Sequence, residues 1–255
     1  MVIDKMGRAI LKGRWKSAMA AQTLHLLATA AGIAVGIGAV ALMGDRGLVF
    51  AAVLVPMLDL TVVSPLKWGS AAFYWQSIYR PDTTLTSCIR AAYRTHYRRA
   101  VAWRAGWWLR AAGWLSVCAL PWAVGCAISA WLNTLPVISL VQAARTFFAV
   151  ITAVALPAGV AAFAVCMLAY LPALYLMIAG ADAIEAFAWS RKLMKGTYNQ
   201  TVWYFGGFAW WLPLCAVAFV PISALFESGK AGLAYRRLRD FRRNEKQASV
   251  AAEAC

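Results

Sequence analysis

The run from Ala18 to Met43 carries no formally charged side chain, and as a helix rising about 1.5 Å per residue it extends about 39 Å. That length crosses the roughly 30 Å hydrocarbon core of a bilayer with some tilt. Lipid offers no water to backbone groups, so a chain built from such runs must satisfy its N–H and C=O groups within helices. Composition agrees: 62% hydrophobic and 14% charged residues, with a mean hydropathy of +0.63, exceed what a soluble core of this size hides. The basic-then-apolar N-terminus has the order of a signal peptide. Its apolar run is far longer than a cleavable one, so it is predicted to be the first transmembrane helix.

Further apolar segments follow, and the reading is an all-α polytopic transmembrane bundle of five to six membrane segments with basic amphipathic interfacial helices. The segments are placed at about 18–43, 48–66, 106–128, 147–176, 201–212 and 214–235, in one integral membrane domain over 1–240 with a basic tail over 241–255. Residues 1–17 set Lys5, Arg8, Lys12 and Lys16 on one side of a helix and Met6, Ile10 and Leu11 on another, the pattern of an interfacial helix. In the connection 67–104, Pro81 and Asp82 mark a helix start, and Arg90, Arg94 and Arg98 recur every four residues. Residues 146–180 extend about 52 Å as one helix and must tilt, protrude or break at Pro157 or Pro172.

The net charge of +15 lies in the gaps between apolar runs, with no nucleic-acid-binding motif, so topology rather than nucleic acid explains it. Five crossings would leave the basic tail on the far side from the N-terminus. A hairpin broken near Pro213 restores both ends to the cytoplasm, where all of the 25 Lys and Arg except Arg46, Arg110 and Arg145 then fall.

Few residues carry chemistry. Asp59 is an acid inside an apolar span, placed at a depth similar to Arg110, and the two are expected to form an intramembrane ion pair or part of a proton path. The exposed set Arg90, Arg94, Arg98 and Arg99, with Tyr93 and Tyr97, has the makings of a lipid head-group site. Gly32 and Gly36 form a G-x-x-x-G pair for helix packing. His25, among leucines, is read as packing, and Glu227 and Lys230 stand three apart, able to neutralise each other. Asp182 with Glu185 has capping-box spacing, while Arg191, Lys192, Lys195 and Gly196 suit a helix end. Six scattered cysteines form no C-x-x-C pair, and neither a disulfide, a metal site nor a cofactor is expected. No P-loop, G-x-S-x-G or H-E-x-x-H occurs, so the expectation is a non-enzymatic protein.

Short motifs recur in a definite order: Leu11-Lys12-Gly13-Arg14-Trp15, Pro65-Leu66-x-x-Gly69, Ala183-Ile184-Glu185-Ala186, Ser190-Arg191-Lys192-Leu193-Met194-Lys195-Gly196, an aromatic stretch with Gly207, Trp210 and Leu212, and Tyr235-x-x-Leu238. In this the chain resembles a bacterial multi-pass membrane family, the domain of unknown function of the nine hundred seventy-five type. It departs at 130–144, which reads as an insertion, and at Ile222. The resemblance implies a bacterial inner-membrane location and a signature helix with Glu185, Ser190, Lys192, Met194 and Gly196, and no active site.

The functional expectation is a membrane protein that binds anionic lipid head groups, a membrane partner or a second copy through its basic cytoplasmic face. The alternative is a small-solute or proton-coupled transporter or channel subunit with Asp59 in the pathway.

Overall fold

The computed structural model describes residues 2–253 except 81, 137, 197–198, 200 and 203–211. Regular structure among the described residues is helical. The elements are α1 (Val2–Leu11), α2 (Trp15–Met43), α3 (Asp45–Leu58), a π-helical turn (Asp59–Val63), α4 (Ser64–Gln76), α5 (Leu85–Arg94), α6 (Tyr97–Leu132), α7 (Ser139–Leu168), α8 (Ala173–Ile178), α9 (Ala183–Met194) and α10 (Leu212–Glu253). Among the described residues four stretches are long and apolar enough to cross a membrane: Trp15–Met43, Asp45–Gln76, Tyr97–Leu132 and Ser139–Ile178. The chain divides into two compact units, one of residues 1–106 with 171–255 and one of residues 107–170.

In the larger unit, burial separates each long helix into two halves. Leu27, Ile37 and Leu42 of α2 and Leu48, Val49 and Val53 of α3 are exposed. Faces so apolar have hydrocarbon as their natural solvent. Beyond the π turn the same chain is buried: Leu66, Trp68, Phe73, Tyr74 and Trp75 of α4 pack with Leu174, Tyr175 and Met177 of α8, Phe187 and Met194 of α9, and Leu233 and Leu238 of α10. Asp45–Gln76 is thus one helical rod of 32 residues, about 48 Å long, of which the second half is protein core. Residues 67–76, expected in a polar connection, are that buried half.

The π turn is the hinge of this division. Ser64 N–H returns to the Asp59 carbonyl five residues back, a register found mostly as single inserted turns. In that register Pro65 has no N–H to give to Leu60, and the Ser64 hydroxyl donates to the Leu60 carbonyl at 2.6 Å instead. The proline therefore costs no buried acceptor.

The α2–α3 hairpin turns on one residue. Gly44 has φ +57° and its N–H closes on the Val40 carbonyl at 2.9 Å, so α3 begins at the next residue. Gly47 lies against the Ala39 carbonyl, where a Cβ has no room, and a Cβ at Gly36 would sit 2.7 Å from Val55 Cγ2. Of the expected packing pair, Gly36 makes the close approach, whereas Gly32 has nothing within 4 Å of its Cβ position.

Residues 1–17 differ from the expected interfacial helix. α1 ends at Leu11, and Ile10 and Leu11 are buried in protein. Gly7 approaches Ser228 Oγ and Gly229 N of α10, at 3.2 and 3.4 Å from its Cβ position. The apolar side that a lone amphipathic helix would give to lipid is taken by α10.

The smaller unit is an antiparallel pair. Gly125 of α6 receives Thr152 of α7, and Gly159 of α7 approaches the Cys118 carbonyl. α7 has no buried residue along its length, an arrangement suited to a helix surrounded by lipid. Arg145 donates to the carbonyls of Leu132 at 3.0 Å and Leu135 at 2.9 Å. It caps the end of α6 within 130–144. The run 146–180 resolves its excess length by breaking between Leu168 and Ala173, at Pro172, while Pro157 stays inside α7.

The segment 201–212, with Trp210 and Gly207, falls outside the described residues except at its ends. α10 starts at Leu212 and runs unbroken through Pro213 and Pro221 into the tail.

Gly36→Leu is expected to cost about 1–3 kcal/mol by overpacking the α2–α3 contact, and Gly32→Leu to be neutral. Denaturation of the two variants in detergent, followed by circular dichroism, distinguishes them.

Candidate functional site

The basic face begins with a glycine. A Cβ at Gly69 would stand 2.7 Å from Ile89 Cα, so this residue lets α5 lie directly on α4. α5 starts at Leu85, with Thr84 as its cap accepting the Ser87 N–H at 3.4 Å. The start is thus three residues beyond Asp82, because the hydroxyl of Thr84 takes the capping role. Seated there, α5 buries Cys88 and Ala92 and turns Arg90 and Arg94 outward.

The four-residue spacing of the arginines does not mark one helix. Thr95 and His96 interrupt it, and Arg98 and Arg99 stand exposed on the first turn of α6. Tyr93 anchors the end of α5. Its hydroxyl donates to the Val62 carbonyl at 2.7 Å, and Val62, 44% exposed, is the last apolar residue of that rod before the buried half. Tyr93 therefore stands at the boundary between the exposed apolar faces and the packed core, with Arg94 beside it in sequence, while Ile89 and Arg90 lie one turn away toward Gly69. Burial pushes the Tyr93 phenol above its ordinary range, with Tyr97 adding to the effect, so the tyrosine stays a donor.

At the same boundary Asp59 is held by Arg104: Nε donates to Oδ2 at 2.6 Å and Nη2 to Oδ1 at 2.8 Å. The side chains are 15% and 19% exposed, and the two-pronged geometry is the strongest that a carboxylate and a guanidinium make. The partner expected for Asp59 was Arg110; the cation that forks onto it is Arg104. Arg110 lies over the Tyr170 ring at 5.8 Å, and the Trp114 indole donates to the Tyr170 hydroxyl at 3.2 Å. Depth along a span cannot distinguish two arginines six residues apart, because both rows rise through the same layer.

A second charged group lies in the packed half. Glu227 Oε1 accepts from Lys230 at 2.8 Å, as the spacing predicts, and also from Lys67 of α4 at 2.9 Å. Lys230 additionally lies 4.4 Å from the Phe226 ring centroid. The Tyr175 hydroxyl donates to the Glu227 carbonyl at 3.2 Å. His25 feels the charges of Lys67, Glu227, Arg104 and Asp59, and its Nδ1 is buried with no hydrogen-bond partner among the described residues. Nearby, Gln22 Nε2 donates to the Tyr74 hydroxyl at 3.1 Å, which donates to the Ala18 carbonyl at 3.3 Å.

The signature residues serve the fold. On α9, Ser190 and Met194 are buried while Glu185 and Lys192 face outward. Gly196 adopts φ +80° beyond the last turn, the left-handed ending its position suggests. The capping box does not form: Asp182 precedes α9 in an extended conformation with no side-chain cap hydrogen bond.

Sequence reasoning missed Arg104, Lys67 and the Tyr93 anchor. The signal for Lys67 is a cation directly after an apolar span, too weak to name a partner because Glu227 already has Lys230 three residues on. Compared with protein-family models, curated proteins and solved structures, the chain matches none. Among the described residues no three His, Cys, Asp or Glu side chains cluster as a metal site.

Two tests follow from these contacts. Arg104→Gln leaves Asp59 buried without its cation and is expected to cost about 3–5 kcal/mol. The double variant Asp59→Asn, Arg104→Gln should lose less than Arg104→Gln alone, as read by denaturation in detergent. Burial raises the Cys88 thiol above its ordinary range, a hydrogen bond from Ser87 opposing weakly. The folded chain thus keeps a proton the unfolded chain releases, so this burial costs stability as pH climbs past the ordinary thiol value. Maleimide should label Cys88 slowly near pH 7, and faster on unfolding.

Proposed function

We propose that this chain is a non-enzymatic bacterial inner-membrane protein that binds anionic lipid head groups through Arg90, Arg94, Arg98 and Arg99. The observation that supports the reading is the Tyr93–Val62 hydrogen bond, which anchors the end of α5 at the edge of the exposed apolar faces, with Arg94 next to Tyr93 and Arg98 and Arg99 on the turn that follows. Head groups of phospholipid lie at that height when hydrocarbon covers those faces. Cations there gain about 1 kcal/mol each from an anionic surface.

The orientation follows from charge. Basic residues remain on the cytoplasmic side during insertion. Four crossings, being even in number, return the chain to its starting side, so the N-terminus, the arginine row, α9 and the basic tail all lie in the cytoplasm. The packing of α1 on α10 supports this, because it requires both ends of the chain on one side. We assign the chain to the domain-of-unknown-function family named above on the order of its short motifs.

A transport role through Asp59 would require the carboxylate to part from Arg104, and nothing favours it over lipid binding. Replacing Arg90, Arg94 and Arg98 together with Gln is expected to weaken association with anionic lipid by about 3 kcal/mol, on the order of a hundredfold. Native mass spectrometry of the full chain with phosphatidylglycerol and phosphatidylcholine measures it. Unchanged retention of phosphatidylglycerol would refute the proposal.

A further inference from the structure

Beside the arginine row, a largely enclosed cavity of about 70 Å³ opens among α4, α5, α8 and the start of α6. On this measure one water needs about 10–15 Å³, so the space exceeds a single water. Its polar lining is Gln76, His96 and Arg99, and Trp68, Cys88 and apolar side chains of α4, α5 and α8 complete the walls. The Trp68 and His96 rings stand 6.3 Å apart and tilted by 30°, and Cys88 Sγ donates to Gln76 Oε1 at 3.6 Å. Arg99 is exposed, so the cavity communicates with the surface on which the row lies.

We propose that this cavity takes the phosphoryl group of a phosphomonoester, supplied in the membrane by phosphatidate. The inference rests on the reading of the arginine row as a lipid-facing surface and gives it a preferred ligand. A phosphomonoester carries a charge of about −1.5 to −2 near neutral pH, which suits a guanidinium beside an imidazole, each with N–H donors for its oxygens. Its terminal oxygens enter a blind space head-on. A phosphodiester such as phosphatidylglycerol bears carbon on both sides of phosphorus and has a single charge. It meets the row without filling a cavity this small.

The test is native mass spectrometry of the full chain with phosphatidate and phosphatidylglycerol of matched acyl chains. The expected result is several-fold preferential retention of phosphatidate. Ala91 lines the cavity, and Ala91→Leu narrows it without altering charge, so the preference should vanish while phosphatidylglycerol retention persists. The Arg90, Arg94 and Arg98 triple variant should lower retention of both lipids and keep their ratio. Equal retention of the two lipids by the unmodified protein, or an undiminished preference in Ala91→Leu, overturns the cavity assignment and leaves the arginine row standing. Retention of neither lipid overturns both.

A readout independent of that variant is Cys88 itself. In a chain whose other cysteines are alanine, phosphatidate in nanodiscs should slow maleimide labelling of Cys88 several-fold, and phosphatidylglycerol should not. Equal labelling rates in the two lipids contradict the proposal. Soluble glycerol 3-phosphate separates the sources of the group. Displacement of phosphatidate marks a site open to soluble phosphomonoesters, persistence marks one that needs the acyl chains, and both outcomes support phosphoryl chemistry in the cavity.

Discussion

A carboxylate at the edge of hydrocarbon survives only with a cation in contact, and the fork of Arg104 on Asp59 is the interaction around which the larger unit is arranged. It ties the π turn between α3 and α4 to the first turns of α6. On one side of that tie the helices present leucine, valine and isoleucine outward. On the other they pack tyrosine, tryptophan and phenylalanine inward. Within the packed half, Glu227 shared by Lys67 and Lys230 performs the same service for α4 and α10. Charge in this protein is concentrated where the helices change environment, because there alone can it be both needed and neutralised.

The π turn shows how one local irregularity sets a larger geometry. An inserted residue rotates everything after it about the helix axis, so the faces of α3 and α4 need not continue one another. α3 gives its outer face to lipid, whereas α4 is surrounded by α5, α8 and α10. The same turn exposes the Val62 carbonyl to the Tyr93 hydroxyl, which anchors the end of α5.

Arg90, Arg94, Arg98 and Arg99 are spread over two helices that meet at Thr95 and His96. That break opens the cavity where His96 and Arg99 converge with Gln76. A single continuous helix would have carried the same arginines as a stripe with no recess beside it.

Much of the fold was legible in the residues themselves. Uncharged runs longer than a bilayer is thick can only be helices, since lipid satisfies no backbone group. Gly196 marked a helix end because a left-handed residue is needed there. The Glu227–Lys230 pair was readable because side-chain proximity within one helix follows from spacing, whereas the arginines, spaced as regularly, fall on two helices. What needed the tertiary structure were partners drawn from distant parts of the chain. Arg104 rather than Arg110 for Asp59, Lys67 for Glu227, and α10 rather than lipid for the apolar side of α1 all depend on which helices touch and at what height. Hydropathy carries no information on that choice, because lipid and a neighbouring helix are equally apolar and only close packing and paired charge distinguish them.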